Sequence, residues 1–148
     1  MTVDSIMSRE VFKISMDDTI ATVREIFKHF KFHHLLVVEK RKLVGVISDR
    51  DLLKALSPFL DTLSEKPRDL ALLNRKAHQI MSLRPVTVTK DATIEQAMKL
   101  LVEKDISCLP VVSTNGVIEG IVSWKDILRS FCETTPAEQP LDTAHVVK

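Results

Sequence analysis

Apolar residues at Ile20, Val23, Ile26, Phe27 and Phe30 recur every third or fourth position, which predicts an amphipathic helix with one buried face. Asp17-Asp18-Thr19 marks its start. The period then changes. His34 to Glu39 and Leu43 to Ser48 are rich in β-branched residues and are separated by Lys40-Arg41-Lys42, the signature of an antiparallel hairpin. Arg50 to Leu56 returns to helical spacing and stops before Pro58. Upstream, Val3 to Met7 is expected to be a short helical lead-in and Val11 to Ile14 a short first strand.

The same order of patterns recurs. Val86 to Val88 predicts a strand and Ile94 to Lys104 a helix with Ile94, Ala97, Met98 and Leu101 on its buried face. Thr93-Ile94-Glu95-Gln96 has the spacing of a capping box. Cys108 to Ser113 and Val117 to Ser123 flank Asn115-Gly116, a strong hairpin signal, and Lys125 to Phe131 predicts the closing helix. The identities repeat as well: Ile6-Met7-Ser8 with Ile80-Met81-Ser82, Thr19-Ile20 with Thr93-Ile94, and Val37-Val38 with Val111-Val112, all at an offset of 74. After one added residue in the second hairpin turn, Gly45-Val46-Ile47-Ser48-Asp49-Arg50-Asp51 returns as Gly120-Ile121-Val122-Ser123-Trp124-Lys125-Asp126. The chain therefore reads as a tandem α/β duplication of a βαββα unit. Residues 1–56 form the first repeat, 57–76 a linker with a connecting helix, 77–131 the second repeat and 132–148 a loose tail. In the linker, Pro67 falls in the first turn of the helix, with Leu70, Leu73, Ala77 and Ile80 on one face. From Glu133 the tail, with Pro136 and Pro140, has no periodicity.

Each repeat alone is near the lower limit for a stable core, so the two are expected to pack on each other. A net charge of +1 in 148 residues provides no basic field for nucleic acid and no polybasic lipid anchor. The apolar runs are too short to span a bilayer, and Met1-Thr2-Val3-Asp4 has none of the features of a signal peptide. Cys108 in a predicted strand and Cys132 after the last helix fit reduced thiols and a cytoplasmic setting. No phosphate-cradling glycine loop or nucleophile elbow is present, so no enzyme is expected. His29 and His33 have helical ligand spacing but no accompanying Cys or carboxylate pattern, so neither a metal nor a cofactor is expected.

The doubled Gly-h-h-Ser-x-x-Asp motif, Asp91-x-Thr93-Ile94 and Ile106-Ser107-Cys108-Leu109-Pro110-Val111-Val112 together resemble the CBS-domain pair, or Bateman module, over about Ile6 to Phe131. The resemblance implies sheets packed face to face with pseudo-two-fold symmetry, two ligand clefts between the repeats, and assembly as a homodimer. It implies an adenosine nucleotide as ligand, AMP first and ADP or ATP next, sensed on behalf of an unidentified regulated protein. With no second domain in the sequence, the output is expected to reach a separate chain.

On this resemblance Asp51 and Asp126 hold the ribose hydroxyls, with Ser48 and Ser123 nearby. His33, His34, Arg50 and Lys125 take the phosphates, the first repeat supplying most of them. Lys13, Ile14, Val86, Thr87 and Pro110 meet the base. A carboxylate suits a ribose because charge-assisted hydrogen bonds to it are worth roughly 1.5–3 kcal/mol each. Each motif also has a reading without ligand. Ser-x-x-Asp is equally a helix cap, Gly45 and Gly120 equally admit a neighbouring backbone, and His33-His34 equally begin a strand at the surface. The first repeat departs from the second at Leu36, opposite Pro110, and at Val11, opposite Pro85. The competing expectations are a ligand-free interaction module, its clefts filled by side chains such as Trp124 or Phe32, and a pair that binds S-adenosylmethionine or a metal.

Overall fold

The computed structural model describes residues 1–134. The first repeat contributes β1 (Lys13–Ser15), α1 (Ile20–His29), β2 (His34–Glu39), β3 (Lys42–Ser48) and α2 (Asp49–Ala55). After the linker helix α3 (Pro67–Ala71) come β4 (Ser82–Leu83), α4 (Ile94–Glu103), β5 (Cys108–Val112), β6 (Ile118–Ser123) and α5 (Trp124–Thr134). Single 3-10 turns occupy Val3–Ser5, Leu72–Asn74 and Ala77–Gln79.

Each repeat builds a hairpin and covers one sheet face with its helices. β1 pairs parallel with β2, β2 antiparallel with β3, and β5 antiparallel with β6. The hairpins match even in their irregularity, which falls between Val37 and Val38 and between the equivalent Val111 and Val112. Leu35, Val37 and Ile47 pack with Ile20 and Val23 in one core; Leu109, Val111 and Val122 pack with Ile94 and Ala97 in the other. The opposite faces of the hairpins meet each other. Leu36, Val46 and Cys108 are buried there, with Val11, Leu43, Ile118 and Ile121 packed around them. These residues alternate with the core set along each strand, so each hairpin is apolar on both faces.

The segments that precede the repeats are exchanged. Val3 and Met7 are buried in the core of the second repeat, and Ala77 in the core of the first, with Met81 packed against it. Ser8 pairs with Ile121 through two backbone hydrogen bonds of 2.8 and 2.9 Å, while β4 pairs with β3 at Gly45 and Val46. Thr2 likewise bridges to Thr93, and Thr19 to Lys76. These crossings account for two of the three glycines. A Cβ on Gly120 would lie 2.6 Å from the Ser8 carbonyl oxygen, and one on Gly45 2.4 Å from Met81 Sδ. The close approach is by the neighbouring repeat's backbone and its methionine.

Several elements differ from the sequence expectation, each for a local reason. Val86 to Val88 is not a strand; only Val88 bridges, in parallel, to Val111. In the first repeat the Leu36 N–H donates to the Phe12 carbonyl at 2.9 Å. The equivalent donor would be Pro110, which has no N–H, so the second sheet loses that rung. The connecting helix is five residues long rather than continuous to Ile80, and Leu70 on its expected buried face is exposed. Its start is fixed by Asp69, whose carboxylate accepts from the Lys66 N–H at 2.7 Å and from the Ser57 hydroxyl at 2.6 Å. Phe30 and Met98, expected in buried faces, are also exposed, Phe30 because α1 has ended at His29. α5 runs past Phe131 and includes Cys132, since no breaker occurs before Pro136. The rest of the expected tail lies outside the described residues.

Candidate functional site

Both Ser-x-x-Asp segments fold as helix caps. At α2 the Ser48 hydroxyl accepts from the Asp51 N–H at 3.0 Å and Asp51 Oδ2 accepts from the Ser48 N–H at 2.9 Å. At α5 the Asp126 N–H donates to Ser123 Oγ at 3.3 Å, and Asp126 Oδ2 accepts from the Ser123 N–H at 2.8 Å and its hydroxyl at 3.0 Å. The reciprocal bonds use one carboxylate oxygen in each case. The carboxylates are half-buried and each stands on the wall of a cleft. The cap and the candidate ligand group are the same residue.

The two clefts are related by the internal symmetry, and each draws on both repeats. The first, of about 480 Å³, places Ser123, Lys125 and Asp126 of the second repeat opposite Val11, Phe12, His33 and His34 of the first. The second, of about 710 Å³, places Ser48, Arg50 and Asp51 opposite Pro85, Val86, Ser107 and Pro110. Both volumes fall within the range of small-molecule sites. Trp124 and Phe32 stand on the wall of the first cleft and leave this space open.

Because the walls are exchanged, the cations expected mostly from the first repeat combine with Lys125 and Arg129 of the second. His33 and His34 face Lys125 and Arg129 across the first cleft, with Lys31 and Arg50 on its rim. His33 Nδ1 is 2.8 Å from Asp49 Oδ2, and Lys125 Nζ is 3.4 Å from His33 Nε2 and 5.8 Å from the centre of the Trp124 ring. Arg129 reaches Asp126 Oδ1 at 3.6 Å. His34 Nε2 lies 2.8 Å from Ser107 Oγ, a contact that joins the repeats. Burial pushes the His34 imidazole below its usual range, against the opposing pull of Asp49. Burial raises the Cys108 thiol to about 12, with the charge of Asp51 adding to the effect.

The expected base-contacting residues separate. Val86 and Pro110 line the second cleft, but Thr87 does not. Ile14 is buried in the first core and Lys13 is exposed away from the cleft lining; Val11 and Phe12 form that wall instead. The strand starts later than expected, so the residues before it face the cleft. Phe12 stacks on Phe32 at 4.9 Å between ring centroids with an interplanar angle of 18°, which builds an aromatic side to the cleft. Sequence reasoning also missed Lys54 and Arg129. Each lies three residues after its Asp, hence on the same helix face, and each lines the cleft of that Asp. No group of three or more His, Cys, Asp or Glu side chains among the described residues could hold a metal ion. No helix among them is long and apolar enough to cross a membrane.

The CBS domain family model matches residues 3–58 and 77–133. A CBS domain-containing protein of Dictyostelium discoideum is 33% identical over 128 residues, covering 85% of this chain and 88% of that protein. Of some longer curated relatives the chain spans far less, 23% in one case. The CBS domain pair of protein MJ0100, solved with 5′-methylthioadenosine and S-adenosyl-L-methionine, superposes with a TM-score of 0.75 at 25% identity. That match covers 91% of this chain and 98% of the other. CBSX2 of Arabidopsis thaliana, solved with AMP, superposes with a TM-score of 0.72 at 25% identity, covering 89% and 96%. With one matched segment for each structural repeat, the chain belongs to the CBS domain family and is a tandem CBS pair.

Proposed function

We propose that this CBS pair binds an adenosine nucleotide between its repeats and serves as a regulatory sensor for another protein. AMP is the first choice, with ADP and ATP behind it. The observation that carries the reading is the cleft of Asp126. A carboxylate at a helix start, one oxygen held in the cap, shares a single cleft with cations drawn from both repeats and with the Phe12–Phe32 wall. The carboxylate suits the two hydroxyls of a ribose, the cations suit a phosphate, and the aromatic wall suits a purine. The AMP and adenosyl ligands of the related structures support the same class. The sensor works as a homodimer in the cytoplasm, without catalysis; multiple-turnover consumption of nucleotide by the pure protein would reject that part.

Isothermal titration with AMP tests the reading. Asp126→Ala and Asp51→Ala each remove a ribose acceptor and should weaken binding at their own cleft about tenfold, equivalent to about 1.4 kcal/mol. Unchanged affinity in both variants rejects the ribose assignment. A second reading, an adenosyl thioether or sulfonium ligand, has support in the cleft of Asp51, where Leu101, Val102, Ile106 and Pro110 form a mainly apolar wall. S-adenosylmethionine that displaces AMP from that cleft with higher affinity would favour it.

A further inference from the structure

Among the described residues, Arg50 is the one lysine or arginine shared by the two clefts. It lies in the first turn of α2, is exposed, and lines both clefts. Its guanidinium has no ion-pair partner among the described residues. Its symmetry equivalent, Lys125, lines the first cleft alone, where it lies against His33 and Trp124. The partition between the clefts is thin: His34, Ser48, Ser107 and Trp124 line both as well, and the His34–Ser107 contact runs through it.

The clefts do not depend on Arg50 equally. The cleft of Asp126 has Lys31, Lys125 and Arg129 besides, against Glu10 and Asp49 on its wall, whereas the cleft of Asp51 has only Lys54 besides, against Asp105. A guanidinium grips a phosphate bidentately through a planar fork of N–H donors, and the single Arg50 side chain directs that fork into one cleft or the other. We infer that Arg50 makes the two clefts compete for phosphate: a phosphorylated ligand in the cleft of Asp126 takes the guanidinium and leaves the cleft of Asp51 selective for less negatively charged adenosyl ligands. The inference rests on the nucleotide reading above and assigns Arg50 as the residue that sets different ligand classes for the two clefts. By linkage, a ligand that keeps Arg50 at the cleft of Asp51 weakens phosphate binding at the other cleft by the same factor.

The test is titration of AMP, and separately of adenosine, into the full chain, Asp126→Ala, Arg50→Ala and the double variant. If Asp126→Ala unfolds, Asp126→Asn keeps an acceptor for the Ser123 N–H and replaces it. At AMP concentrations that leave the weakened cleft of Asp126 largely empty, the cleft of Asp51 should bind AMP about tenfold more tightly than the weaker AMP event of the unmodified protein. Adenosine, which has no phosphate, should show no such gain. Without Arg50, blocking one cleft should leave AMP affinity at the other unchanged. The inference is overturned if the weaker AMP affinity is the same with and without Asp126, if Asp126→Ala binds no AMP, or if the gain survives in the Arg50 background. Two equal and independent AMP sites sink the coupling but not the nucleotide reading; no AMP binding by any protein sinks both.

Discussion

The exchanged lead-in segments can be tested through a single methyl group. In Gly120→Ala the new Cβ would stand 2.6 Å from the Ser8 carbonyl oxygen, well inside van der Waals contact, and 3.0 Å from Met7 Sδ. The oxygen is main chain, held by the 2.9 Å bond from the Ile121 N–H, so relief requires Ser8 to move off β6. Overpacking of this kind costs about 1–3 kcal/mol, and each backbone hydrogen bond weakened adds about 1 kcal/mol, giving about 2–4 kcal/mol. With a urea m-value of about 2 kcal/mol/M, the unfolding midpoint should fall by about 1–2 M. Gly45→Ala should cost less, about 1–2 kcal/mol, because its closest neighbours are the flexible Met81 Sδ at 2.4 Å and Cγ at 2.8 Å, with the Ser82 oxygen at 3.0 Å. Gly116→Ala separates sterics from backbone strain. Nothing lies within 4 Å of its Cβ, but its φ of +82° should cost about 1 kcal/mol. Urea unfolding followed by circular dichroism should rank the losses Gly120, Gly45, Gly116. A Gly120→Ala midpoint within about 0.3 M of the parent would refute the crossing of Ser8 over β6.

Deleting residues 1–8 removes Val3 and Met7 from the second core, so amide exchange should accelerate in β5 and β6 well before β2 and β3; the reverse order would contradict the exchange. Cys108 is buried, with its thiol raised to about 12, and Cys132 is exposed. Ellman's reagent at pH 8 should therefore titrate one thiol in the native protein and two in urea, and rapid reaction of both would contradict the burial. His34 has its pKa lowered by burial from the ordinary 6.5, so the unfolded chain takes up its proton first as pH falls. The stability contributed by neutral His34 is present above pH 6.5 and should be lost below it as pH falls through the folded value. A urea midpoint that declines equally in His34→Gln and in the parent would assign the decline elsewhere.

The duplication was legible in the sequence because it is written in identities and hydrophobic periods. Ile20 with Ile94, Val37 with Val111 and Ser48-x-x-Asp51 with Ser123-x-x-Asp126 occupy equivalent places in the two cores and caps. Local periodicity records which face of an element is buried, and cap geometry involves residues three apart, so both survive in a one-dimensional string.

Partnership between the repeats was not legible. Nothing in the periodicity of Val3 or Met7 says which core receives them, and nothing in Asp126 says that it faces Phe12 and His33 rather than its own repeat's Pro110. The phosphate-facing cations were therefore expected mostly from the first repeat, whereas Arg129 joins the expected Lys125 in sharing the cleft with His33 and His34. The resemblance placed one base wall at Lys13-Ile14, whereas the register between β1 and β2, set by backbone bonds such as the one from Leu36 to Phe12, puts Val11 and Phe12 there. The sequence by itself determined the duplication, most of the buried faces and the capped helix starts, while the second unit's first strand is reduced to a bridge at Val88. Only the tertiary structure decided which repeat completes which cleft, because two nearly identical apolar surfaces can meet in more than one way. The pairing is selected by contacts distant in sequence: Ser8 on Ile121, Ser82 on Val46 and His34 on Ser107.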